Sequence, residues 1–109
     1  MPIEFGRIVV VAFPCTDQSS IKRRPAIVVS NHRYHAMRRD AVIMAVTSRN
    51  RATTGEVPIE HWENAGLAKP SVVKPVFATV EQSLIVKELG VLQDADAAAL
   101  KRAVALLLC

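Results

Sequence analysis

Two polar residues stand where apolar runs meet basic, hydroxyl-rich segments. Arg24 directly precedes Pro25 and the apolar residues 26–30, and Thr47 ends the run 41–47 (AVIMAVT). Arginine offers a planar, permanently charged fork to two phosphate oxygens, and a threonine hydroxyl can donate one further hydrogen bond to the same group. RNA carries its own nucleophile, the 2′-hydroxyl. An enzyme that orients this hydroxyl in line and stabilises the crowded phosphate needs neither a metal nor a covalent intermediate. Neither residue is a ready proton acceptor, so the general base stays unassigned. On spacing alone a plainer role is the stronger one: arginine before proline flanks many strands, and threonine is a strand former.

Other chemistries find less support. His32, His35 and His61 are the only imidazoles, and none falls in a metal-ligand pattern such as H-E-x-x-H. His32 and His35 are spaced i, i+3 among arginines, which suits a solvated loop better than a zinc site. No G-x-S-x-G elbow is present, and the four glycines stand singly, so no phosphate-cradling loop occurs. The expectation is therefore no metal and no cofactor.

Composition agrees with an anionic partner. Residues 1–53 hold nine Lys/Arg against three Asp/Glu, a net of +6, whereas residues 54–109 hold five against seven, a net of −2. Lys22, Arg23, Arg24, Arg33, Arg38, Arg39, Arg49 and Arg51 supply most of the excess, and nucleic acid is the leading candidate for what they meet. Half of the 109 residues are hydrophobic, enough to bury one core and too few residues for two, so a single domain over 1–109 is expected. The longest apolar stretches are far short of a bilayer span, and Glu4 and Arg7 interrupt any signal-like start. Cys15 and Cys109 form no ligand or redox spacing, which fits a reduced, cytoplasmic protein with no need of a disulfide.

The elements that must position Arg24 and Thr47 follow from hydrophobic period and punctuation. Residues 7–13 (RIVVVAF) predict a buried strand closed by Pro14, and a polar loop leads to a second strand at 26–30, with Arg24 extended at its mouth. Residues 31–40 predict a loop or one helical turn, 41–47 a third strand and 55–59 (GEVPI) an edge segment. A helical turn at 60–65 precedes strands at 71–74, 77–80 and 84–89, the last closed by Gly90. From Asp94 the period becomes helical, with Asp94 or Asp96 as N-cap and Leu100, Ala103, Val104 and Leu107 on the apolar face. Six or seven short strands and one covering helix predict an α+β fold, mainly β, built as a small curved barrel or half-open sheet with a C-terminal amphipathic helix.

Three segments, residues 22–31 (KRRPAIVVSN), 45–50 (AVTSRN) and 70–81 (PSVVKPVFATVE), resemble the MazF/PemK toxin family, and the order and separation of further segments extend the match nearly end to end. The resemblance implies an SH3-like small barrel forming a homodimer. The family's implied activity is that of an mRNA interferase, a sequence-specific endoribonuclease cleaving single-stranded RNA to a 2′,3′-cyclic phosphate and a 5′-hydroxyl. A cognate antitoxin neutralises such toxins, and operator DNA is met only through the antitoxin complex. The family's catalytic arginine and threonine fall on Arg24 and Thr47. Ser19, Ser20, Lys22 and Arg23, in and beside the loop at 16–23, become candidate RNA contacts, with Arg49, Asn50 and Arg51 as weaker ones. Arg7 replaces a common aspartate, Ala78 a common arginine and Cys15 a frequent aromatic, so RNA preference is open to change. Two other readings of the same barrel are a toxin that grips a protein such as gyrase and an inactive dimer kept for antitoxin or nucleic-acid binding.

Overall fold

The computed structural model describes residues 3–14 and 21–109. Six strands form one antiparallel sheet in the order β4-β5-β3-β2-β1-β6: β1 Arg7–Pro14, β2 Ile21–Val28, β3 Asp40–Ser48, β4 Val57–Pro58, β5 Ser71–Glu81 and β6 Ile85–Val91. A short helix, α1 His32–Met37, links β2 to β3, and a long one, α2 Asp94–Leu108, ends the chain. The sheet curves as a small barrel does, but its edges β4 and β6 are not joined by strand pairing. The α+β, mainly β expectation holds.

Both faces of the sheet are buried, which explains why strand one reads as a continuous apolar run. Along β1, Ile8 joins a cluster with Ile27, Met44, Val46 and Val73, while Val9 and Val11 turn to a second cluster with Ala26, Val28, Ile43 and Val80. Helix α2 covers the first cluster with Leu100, flanked at helical spacing by Ala97 and Val104. It is tied down by Asp96, whose buried carboxylate accepts hydrogen bonds from the backbone N–H of Glu60 (3.1 Å) and His61 (2.8 Å). Lys101 lies on the exposed side with its Nζ 5.2 Å from the centre of the Phe5 ring. Among the described residues, no helix is long and apolar enough to cross a membrane.

Several boundaries differ from expectation, each for a local reason. Strand two begins at Ile21, so Arg24 is inside it, held extended by pairing with Val11 of β1. The two strands expected at 71–74 and 77–80 are one bulged strand, because Pro75 interrupts the ladder without ending it. Gly90 does not close β6 but lies within it, where a Cβ would meet the backbone carbonyl of Ala65. The 60–65 segment forms hydrogen-bonded turns without a helix, and α2 is capped by Gln93, leaving Asp94 and Asp96 in its first turn. Leu107 is 43% exposed and does not continue the apolar face.

Candidate active site

Arg24 and Thr47 meet because two strand pairs part company. β2 stays paired with β1 as far as Ile21, and β3 stays paired with β5 through Thr47 with Val72 and Ser48 with Ser71. Between β2 and β3 the pairing runs only from Val28 with Ile43 to Ala26 with Ala45. Continued by two residues, that register would set Arg24 opposite Thr47. Pro25, which has no N–H to give to a ladder, stands where the pairing stops. Beyond it β2 follows β1, β3 follows β5, and a mouth opens between the pairs.

The mouth is a groove of about 370 Å³ with Arg24, Thr47 and Ser48 at its polar rim. Its floor is shallow-sided and apolar: Ala26, Ala45 and Ala78 come from three adjacent strands, and period-two alternation puts all of them on the face that carries Arg24 and Thr47. One wall depends on the β5 bulge. Between Met44 paired with Phe77 and Val46 paired with Val73, β5 carries two residues more than β3, and the arch turns Val76, 53% exposed, toward the groove. Among the described residues, no carboxylate and no imidazole lines the groove. It therefore presents a cationic fork and hydroxyl donors above small apolar side chains, a setting for an anion beside a flat apolar group.

The remaining sequence candidates spread outward from this groove. Lys22 and Arg23 are exposed on β2, but alternation sends Arg23 to the opposite face. Ser19 and Ser20 lie outside the described residues, as does Cys15; Cys109 is exposed. Arg49, Asn50 and Arg51 follow β3 on an exposed loop, where the Arg49 guanidinium is engaged by both oxygens of Glu56 at 2.6 and 2.7 Å. Glu56 also accepts from the Thr53 backbone N–H at 2.8 Å; that bond and the Arg49 charge hold its carboxyl below the ordinary range. The histidines do not converge: His35 joins Ser30 Oγ (2.6 Å) and donates from Nδ1 to the Ile3 carbonyl (2.6 Å). Among the described residues no three His, Cys, Asp or Glu side chains group as a metal site would require.

Sequence reasoning missed Ser48, Val76 and the three alanines. The signal was present in part, since residues 43, 45 and 47 share one face by alternation, but the bulge that adds Val76 had only Pro75 to announce it.

Arg7 and Ala78, the two departures from the family pattern that fall among the described residues, occupy very different places. Arg7 reaches Glu88 and, at 3.1 Å, Glu4, closing the β1 and β6 edge with an ion-pair cluster. Ala78 is part of the groove floor itself.

No curated protein sequence matches the chain significantly. Solved structures do match in fold. A MazE-MazF complex from Deinococcus radiodurans aligns with a TM-score of 0.76 at 22% identity, covering 98% of this chain and 96% of the other. The Mycobacterium tuberculosis toxin MazF-mt6 gives 0.72 at 22%, covering 91% and 92%. An endoribonuclease in complex with its cognate antitoxin, from a mycobacterial species, gives 0.72 at 18%, covering 100% and 98%. At these identities the likeness establishes the fold alone, but a family model for the PemK-like, MazF-like toxin of type II toxin-antitoxin systems matches residues 4–108, and the chain belongs to that family.

Proposed function

We propose that this toxin is a metal-independent endoribonuclease that cuts single-stranded RNA, mRNA included, in the groove between Arg24 and Thr47. The observation that carries the reading is their convergence: an extended β2 and β3 bring a guanidinium and a hydroxyl to the rim of one groove, with no acidic side chain among its described lining residues to repel a phosphate.

Arg24 donates two parallel N–H bonds to non-bridging oxygens of the scissile phosphate, and Thr47 donates its O–H to the same group. Both strengthen as the phosphate becomes five-coordinate and its oxygens gain charge, so they lower the barrier and do not merely bind substrate. The small floor of Ala26, Ala45 and Ala78 leaves room for the adjoining ribose and base, fixing the 2′-oxygen in line with the leaving 5′-oxygen. The bond from O2′ to phosphorus forms as that from phosphorus to O5′ breaks; the O2′ proton departs and O5′ gains one, giving a 2′,3′-cyclic phosphate and a 5′-hydroxyl. No imidazole or carboxylate is among the groove's described lining residues, so the O2′ proton passes to water, to a phosphate oxygen or to a group outside that lining.

In this reading the toxin acts in the cytoplasm as a homodimer, and a cognate antitoxin silences it; operator DNA is reached only through that complex. The family membership and a neighbour solved with its cognate antitoxin support the partner. The test is direct. Purified protein is incubated with a long unstructured RNA in EDTA, and the cut ends are sequenced and assayed for cyclic phosphate. Sequence-dependent fragments with that terminus are expected; RNA left intact by the wild type, or cutting that EDTA abolishes, would reject the proposal.

A further inference from the structure

The end of the sheet that opens the groove has a second side. Alternation along β2 points Arg23 away from Arg24, toward the face that α2 covers. There Arg23, Ser48 and Lys69 line a cleft of about 380 Å³ whose apolar side is formed by Val10, Leu67 and Leu89. Pro25 and Ser48 line both this cleft and the groove, so the two lie back to back where the pairing of β2 with β3 stops. Among the described residues, neither is lined by a carboxylate. Sequence position hides the pairing of Arg23 with Lys69, 46 residues later, because it depends on how one loop crosses the sheet edge.

That loop is held closely. Gly66 has φ +88° and is pressed against the Leu89 carbonyl, while Gly90 is pressed in turn against the carbonyl of Ala65; a side chain at either position would drive the segments apart. Leu67 N–H bonds to the Trp62 carbonyl at 3.0 Å, Ser71 Oγ donates to the Lys69 carbonyl at 2.9 Å, and the Pro70 carbonyl accepts from Arg49 N–H at 3.0 Å. The Lys69 backbone is thus fixed at the cleft edge while its exposed side chain keeps its reach.

We propose that this cleft is a second phosphate subsite, in which Arg23 and Lys69 hold the RNA strand at a nucleotide flanking the one cut between Arg24 and Thr47. The proposal rests on the endoribonuclease reading above. A single strand fits better than a rigid duplex, because the groove and the cleft lie on opposite faces of the sheet and only a flexible backbone can pass from one to the other where β2 and β3 part. The apolar side formed by Leu67 and Leu89 takes the face of an unpaired base, and the two cations take the backbone. This subsite reads charge and not base identity, so it adds affinity without altering the cleavage sequence.

The experiment starts from the cut site mapped on a long RNA. Minimal oligonucleotides spanning that site, and versions extended by three nucleotides on the 5′ or the 3′ side, are cleaved by the wild type, Lys69→Gln, Arg23→Gln and the charge-matched control Arg102→Gln, an exposed α2 position. Extension on one side is expected to lower KM for the wild type and the control, with the gain lost in Lys69→Gln and Arg23→Gln while kcat on the extended substrate holds. Each lost phosphate contact removes about 0.7 from the slope of log(1/KM) against log salt, so a rise from about 50 to about 200 mM costs the wild type about 2.6-fold more than the variant. Cleavage that ignores extension on both sides, or a Lys69→Gln profile equal to that of Arg102→Gln, overturns the subsite alone. Intact RNA with the wild type overturns the endoribonuclease reading and the subsite with it.

Discussion

Replacing Thr47 with valine removes one hydroxyl and little else. The residue is half-buried on β3 and paired with Val72, so a β-branched side chain of nearly equal volume keeps the strand and its packing. If the hydroxyl donates to the phosphate in the transition state, its loss resembles removal of one oxyanion donor, which costs about 2.7–4 kcal/mol or roughly 10²–10³ in kcat. The groove is open on one side and its guanidinium is exposed, so water partly replaces the lost donor and the lower figure applies: about a hundredfold. Thr47→Ser, which keeps the donor, should retain activity within about tenfold, the difference reflecting a freer rotamer. Single-turnover cleavage of an oligonucleotide under saturating enzyme reads the chemical step, and thermal melting shows that the fold persists. Should Thr47→Val cut at more than a third of the wild-type rate, the hydroxyl is not a transition-state donor and the threonine serves only the strand.

Other expectations concern the scaffold that holds the groove. Gly66→Ala must place a Cβ against the Leu89 carbonyl at a positive φ, and a loss of more than about 2 kcal/mol in denaturant unfolding is expected; Gly55→Ala, with its nearest neighbour Pro75 Cγ at 3.5 Å, should lose only about 1 kcal/mol. Equal losses would show that the crossing at Leu89 has room to spare. Asp96→Ala leaves the N–H groups of Glu60 and His61 without their buried acceptor, and a loss of roughly 2–4 kcal/mol in the same assay is expected; a neutral result means that water replaces the carboxylate. The Glu56 carboxyl is held below its ordinary range chiefly by the Thr53 N–H and also by Arg49, so its contribution is complete above the unfolded carboxylate pKa and is lost as pH falls through the lower folded value. Glu56→Gln should therefore flatten the acid side of the stability profile below about pH 4.5, and an unchanged acid limb would refute the linkage.

The readable part of the molecule was the part set by local rules. The apolar runs of β1 and β3 and the helical period of α2 show directly in residue types; Arg24 and Thr47 stood out there only as strand-end candidates, chosen by the family resemblance and brought together by the register of β2 and β3. What escaped was whatever depends on contact between distant backbones. Gly90 reads as a terminator, yet it is needed because Ala65 passes over it; Asp96 reads as a helix cap, yet it serves a turn 36 residues earlier. Arg49 reads as a free cation beside Thr47, and only the fold brings Glu56 to engage it. In each case the residue type signalled a special position, and the partner that explains it lies on another element.

This distinction bears on how positive charge is used. Counted along the chain, residues 22–24 and 49–51 look like one basic surface around the groove. In the fold they separate: Arg24 faces the groove, Arg23 the opposite side, and Arg49 is tied to Glu56 on the loop. Ala78 adds no charge where the family often has an arginine, so among the groove's described lining residues Arg24 alone is cationic. A lone guanidinium gives a phosphate its fork but a strand little grip, since each phosphate neutralised contributes separately to affinity. On the proposed reading, affinity then comes from cations away from the scissile phosphate, and Arg23 and Lys69, in a cleft that shares Pro25 and Ser48 with the groove, are placed to provide them. The alternation of β2 thus divides two consecutive arginines between the two faces, Arg24 for the proposed chemistry and Arg23 for the proposed purchase on the strand.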